Sequence, residues 1–171
     1  QFFNTDVAKS LSKYKDRVFF VSDIRVEGYE AVAERLQGAD KKEIMDELER
    51  VVWKDMLNQQ EWTIAMDPAH ALLKFRLPYP ISSNKTVDYL RGEVYIQVWP
   101  NKDSSETRLK PVKKDGKYVK DSWNLVEYEQ LCYHHNAVDR EFQIYNNPFT
   151  NTPDNIAYPE LLNDWDSVAE A

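Results

Sequence analysis

Apolar and polar positions alternate with two different periods along this chain, and the change of period divides it. Near the start, in "NTDVAKSLSKYKDRV", Val7, Leu11, Tyr14 and Val18 recur at spacings of four, three and four. That spacing predicts an amphipathic helix, with Asn4 or Thr5 as its cap. In "EGYEAVAERLQG" the residues Tyr29, Val32 and Leu36 form one stripe that stops at Gly38, a natural helix end. "DKKEIMDELERVVWKDML" is the strongest local signal. Asp40 followed by Glu43 forms a variant capping box, and Ile44, Leu48, Val51, Val52 and Met56 make an apolar face. A helix over 41–58 follows.

The period then falls to two. Leu73, Phe75 and Leu77 alternate with Lys74 and Arg76, and Val94, Ile96 and Val98 alternate with Tyr95, Gln97 and Trp99. Alternation of β-branched and aromatic residues predicts strands, closed by Pro78 and Pro100. "WTIAM" at 62–66 reads as a further strand. Asp115-Gly116 between short alternating runs signals a hairpin. The short run Val18-Phe19-Phe20-Val21 fits a buried strand or a helix turn by its length.

After residue 120 the pattern is mixed. "DSWNLVEYEQLCYHHN" predicts a helix capped by Asp121 or Ser122, with Leu125, Tyr128, Cys132 and His135 on one stripe. "REFQIYNN" leans to a strand. "NPFTNTPDNIAYP" is irregular, and "PELLNDWDSVAEA" makes a short terminal helix. The expected fold is therefore α+β. N-terminal helices pack on an antiparallel sheet of about four or five strands, followed by C-terminal helices and an extended tail. Residues 1–152 form a single domain, and 153–171 form an acidic amphipathic arm.

Composition narrows the function classes. The chain has 171 residues, enough to bury a core without disulfides or metals. A net charge of −7 disfavours nucleic acid as a partner, because phosphate binding draws on basic excess. The single cysteine cannot close an internal disulfide, which favours an intracellular setting. No apolar run approaches the roughly 18 residues that cross a bilayer. The chain begins at Gln1 rather than methionine. If a leader preceded it, the lone cysteine favours an organelle import signal, mitochondrial or other, over a secretory one.

The one stretch dense in reactive side chains is "LCYHHN", with Cys132, His134 and His135. On a helix, 132 and 135 share a face and 134 points away; on a strand, 132 and 134 share a face and 135 points away. Neither geometry aims three ligands at one ion, and His70 lies on another element. Cys132 would also sit late in its helix, where the dipole disfavours a thiolate. No glycine-rich phosphate loop, nucleophile elbow or zinc-helix motif is present in the sequence. No catalytic, metal or cofactor site is expected.

Charge is laid out unevenly. Residues 108–120 hold six Lys or Arg against one Asp, and residues 154–171 hold five Asp or Glu and no Lys or Arg. Within that tail Tyr158, Leu161, Leu162, Trp165 and Val168 supply apolar anchors at helical spacing. The expected role is a non-catalytic accessory or structural subunit of a larger assembly. Its contacts would run through Lys113, Lys114 and Lys117 on the hairpin and Tyr158, Leu161, Trp165 and Val168 on the arm. The alternative is a small pocket enzyme or a ligand-binding module on a helix-plus-curved-sheet scaffold. A closed polar pocket holding His70 or His134 beside a buried carboxylate would favour the alternative; a solid core with an exposed aromatic patch would favour the subunit.

Overall fold

The computed structural model describes residues 3–79, 85–97 and 104–140. It is α+β, with helices on one face of a mixed sheet. The first helix, α1 (Thr5–Leu11), is capped by the Asn4 side chain, which accepts from the Val7 N–H at 3.0 Å. The expected continuous helix tightens here into a 3₁₀ segment, Ser12–Arg17, and the chain then extends into strand β1 (Phe19–Ser22). Helix α2 (Tyr29–Arg35) follows, and Gly38 takes a positive φ of 85° beyond its end.

Helix α3 (Lys41–Met66) is the spine of the molecule. The capping box is formed: Asp40 accepts from the Glu43 N–H and Glu43 from the Asp40 N–H. The helix runs 26 residues, about 39 Å, and absorbs the strand expected at 62–66. Trp62, Thr63 and Met66 are all buried on it. Helix geometry takes Trp62 and Met66, one turn apart, to the same core, while the Thr63 hydroxyl donates back to the Gln59 carbonyl at 2.7 Å. Five residues of β-branched and aromatic character carry too little period to resist propagation of a helix already formed. Asp67, in the left-handed conformation at φ 49°, ends it.

The sheet is mixed, which corrects the antiparallel expectation. Its order is β1-β2-β5-β4, with β2 His70–Phe75, β4 Gly92–Ile96 and β5 Thr107–Pro111. β1 lies parallel to β2, pairing Phe19 with His70 and Ser22 with Leu73. A parallel neighbour needs a crossover, and here helices α2 and α3 supply it. The remaining pairs, β2–β5 and β4–β5, are antiparallel.

Strand β3 (Thr86–Leu90) leads through Arg91 into β4, so one long strand bends and pairs twice. Its first half pairs with β8 (Lys120–Asn124) and its second with β5. Backbone bonds at the bend, Arg91 N–H to Val119 O at 2.8 Å and Val112 N–H to Arg91 O at 2.9 Å, keep the ladder continuous. Gly92 makes the bend: a Cβ there would lie 2.4 Å from the Lys110 carbonyl oxygen. Between β5 and β8, the strands β6 (Lys113–Lys114) and β7 (Lys117–Tyr118) form the expected hairpin. Asp115 and Gly116 both have positive φ, 52° and 75°, as a type I′ turn requires.

Helix α4 (Leu125–His134) is capped by Asn124, not by Asp121 or Ser122: the Asn124 side chain at the end of β8 accepts from the Val126 and Glu127 N–H groups at 3.1 and 3.3 Å, while Asp121 and Ser122 lie further back in the strand, opposite Tyr89 and Asp88. It continues into a π turn, His135–Asp139. The core lies inside the curved sheet. Phe75 is its hub, with ring centroids at 5.0 Å from Trp123, 5.3 Å from Tyr128 and 5.6 Å from Tyr89. Phe3 stacks on Phe20 and meets Trp62 edge-on, closing one end. Among the described residues, no helix is long and apolar enough to cross a membrane. The strand expected over 141–147 and the arm 153–171, with Tyr158, Leu161, Trp165 and Val168, lie outside the described residues.

Candidate functional site: an open sheet face beside a charged cleft

Helices cover one face of the mixed sheet. On the other face the register sets three rows. Phe19 stands beside His70, Val21 beside Leu72, and Lys74 beside Arg108 and Tyr95. Phe19, Val21 and Tyr95 are 61%, 60% and 49% exposed. Strand alternation explains this placement: Phe20 and Leu73 turn to the core, so their neighbours must turn out.

The charges on this face neutralise one another. Asp23 takes Lys74 Nζ and Arg108 Nη2, each at 3.1 Å. Glu106 takes Lys74 at 3.1 Å, Arg108 at 3.0 Å and Arg25 at 3.7 Å. Burial alone would raise the Glu106 pKa, but hydrogen bonds from Arg108 and Lys74 hold it below the usual carboxylate value. Asp23 follows the same logic: its partial burial is outweighed by the Lys74 bond and the charges of Arg108 and Arg25. Lys110 and Glu93 pair further along, at 3.3 Å.

A cleft of about 410 Å³ opens next to this network, lined in part by Arg25, Tyr29, Arg76, Tyr79, Ser105 and Glu106. Helix α3 positions its far wall. Buried Glu49 grips Arg76 with two bonds, 2.5 and 3.2 Å, and accepts the Tyr79 N–H at 3.0 Å. The Arg76 guanidinium lies over the Tyr79 ring at 4.8 Å. Buried Asp55 accepts the Val26 N–H at 2.9 Å and so fixes the loop that carries Arg25. Burial and the nearby Arg76 charge lower the Arg25 pKa.

This cleft offers hydrogen bonds and ion pairs, and the Glu27 carboxylate on its wall is paired with Arg35 at 2.8 Å. Glu49 and Glu106 are both committed to arginines. Neither His70 nor His134 lines it. His70 stands on the open face against Phe19, and His134 is exposed with its Nδ1 3.3 Å from Asp139 Oδ2. That histidine–aspartate contact spans five residues, which the π turn brings into register.

The "LCYHHN" stretch divides as its helical geometry dictates. Cys132 is buried, its thiol pKa raised by burial. His135 is half-buried, and Asn136, turned inward, donates to the Ser104 carbonyl at 2.7 Å. Among the described residues no three of His, Cys, Asp and Glu are placed to hold a metal ion.

The hairpin lysines separate. Lys114 and Lys117 stand exposed around the turn. Lys113 is also an exposed residue, yet its ammonium reaches Asp67 Oδ1 at 2.7 Å and lies over the Tyr118 ring at 4.7 Å. The Tyr118 hydroxyl donates to the Pro68 carbonyl at 2.9 Å, which clasps the hairpin to the end of α3. The open face was not foreseen in the sequence. Its one visible signal was the strand alternation, which sets Lys74 against Leu73 and Phe75, and Tyr95 against Val94 and Ile96. No known family model and no curated protein matches the chain.

Proposed function

We propose that this chain is a non-catalytic accessory or structural subunit of a larger protein assembly, and that the open sheet face is its principal contact surface. The observation that carries the reading is this face, which is uncovered among the described residues. It presents Phe19, Val21 and Tyr95 among ion pairs already satisfied within the chain. Exposed aromatic area ringed by neutralised charge is costly to leave in water and cheap to cover with protein, since few unpaired charges need to be stripped of solvent. The partner it fits is a protein surface of mixed apolar and polar character. The aromatic cluster around Phe75 and the arginine-paired carboxylates Glu27 and Glu106 of the cleft support this reading over a pocket enzyme.

Lys114 and Lys117 extend the contact as a basic tip for an acidic partner surface, and the anchors Tyr158, Leu161, Trp165 and Val168 would add a second attachment. The test is the native mass of the protein in its source cells, paired with the variant Tyr95→Lys. The expected result is migration well beyond twice the chain mass, lost on Tyr95→Lys while the melting temperature of the purified chain stays within a few degrees. A free species at the chain mass of 20.2 kDa, or a variant retained in the assembly, overturns the reading.

A further inference from the structure

A guanidinium carries its N–H donors in a planar fork and stays charged when buried, so an arginine withdrawn from water needs anionic partners. Around the cleft the carboxylates are taken one by one. Glu27 holds Arg35 at 2.8 Å, Glu49 holds Arg76, and Glu106 holds Lys74 at 3.1 Å and Arg108 at 3.0 Å. Arg25 is left over. Its ion contact is with the already shared Glu106, at 3.7 Å, too long for a hydrogen bond. Among the described residues its guanidinium makes no hydrogen bond. Buried Asp55 attracts it only through space, and that carboxylate takes the Val26 N–H at 2.9 Å.

Yet the Arg25 side chain keeps only 26% of its surface in water. It has given up hydration without gaining hydrogen bonds, which is costly for a charged donor. Its pKa, lowered first by burial and then by the Arg76 charge, reflects the same deficit.

We propose that the cleft is a socket for one acidic side chain, Asp or Glu, of the partner protein, whose carboxylate takes two parallel N–H bonds from Arg25. The inference rests on the proposed function and names the chemistry its partner carries at this point. A single carboxylate is the charge that fits. A phosphate would bring nearly two charges against Glu27 and Glu106, and a cation would meet Arg25 and Arg76. The methylene stem would rest on Leu48, Tyr29 and Tyr79, which line the same cleft. Glu106 belongs both to this lining and to the ion network of the open face, so the cleft is continuous with the proposed contact surface.

The experiment follows the Arg25 Nε–H and Gly28 amide resonances of the purified full chain by NMR. The chain is titrated with N-acetyl-glutamate N-methylamide and with its glutamine counterpart. The glutamate compound should shift both resonances saturably. The glutamine compound on the native chain, and the glutamate compound on Arg25→Gln, should each bind about tenfold more weakly or less, as loss of one hydrogen-bonded charge pair dictates. Arg25→Lys, a charge without the fork, should fall between. No saturable shift, or an equal one with the glutamine compound, overturns the proposal.

In the source cells Arg25→Gln is expected to weaken the high-mass species while the melting temperature of the purified chain stays within a few degrees. If Tyr95→Lys releases the chain and Arg25→Gln does not, the face contact stands and the socket falls. If the chain binds the glutamate compound at Arg25 yet migrates alone at 20.2 kDa, the partner is overturned as the source of the carboxylate, and the proposed function falls with it.

Discussion

Glu49 is 3% exposed and meets Arg76, whose side chain is 14% exposed. Removing one partner leaves the other charge buried and unpaired. Glu49→Ala is therefore expected to cost about 3–5 kcal/mol in urea unfolding, and Glu49→Leu with Arg76→Met together markedly less than the sum of the two single changes. Cys132 is the opposite case. Its thiol is buried and its pKa raised by that burial, so native protein should react with thiol reagents only at the rate of unfolding. Fast labelling of the folded chain would show that helix α4 opens locally.

Helix α3 and the segments it anchors act as a unit. Its last residue is tied into the fold through Asp67, which takes Lys113 at 2.7 Å and Lys15 at 3.3 Å. Partial burial would raise the Asp67 pKa, but Lys113 and Lys15 hold it below the ordinary value. Asp23 and Glu106 are likewise depressed. A depressed folded pKa means stability that is present above the unfolded value, about 4, and lost as pH falls through the folded one. The melting temperature should therefore drop on acidification below about pH 4. Asp67→Asn should lower it at neutral pH and flatten part of that acid slope; an unchanged slope would remove Asp67 from the account. At the N-terminal end, Asp40→Ala breaks the capping box and is expected to cost about 1 kcal/mol.

At the scale of the whole molecule, the junction of β3 with β4 lies close against β5 at Gly92. Gly92 leaves no room for a side-chain atom against the Lys110 carbonyl at 2.4 Å. Gly92→Ala must push β4 away from β5, and it should destabilise the chain by about 1–3 kcal/mol. Because β4 carries Tyr95, the same change should weaken any contact made through the open face. A fully stable Gly92→Ala variant would mean that the bend can relax elsewhere. Under the proposed function the hairpin would add a charge contact of its own. Reversal of Lys114 and Lys117 to Glu is expected to weaken assembly more at low salt than at high salt, because screening already removes most of the interaction at high salt.

The sequence by itself determined the local elements with strong caps or strong period: α3 from its capping box, β2 and β4 from their alternation, the hairpin from Asp115-Gly116. Those signals are near-neighbour physics, carried by residues a few positions apart. It also placed Leu125, Tyr128 and Cys132 on one buried face. Only the tertiary structure decided that 62–66 continue a helix, since that depends on what Trp62 and Met66 meet across the core. The strand role and parallel direction of Phe19–Ser22 were likewise decided at a distance, through pairing with residues some fifty positions later. The open face and the cleft arise where separated strands lie side by side, so Asp23, Lys74, Tyr95 and Arg108 become neighbours only after the sheet has formed.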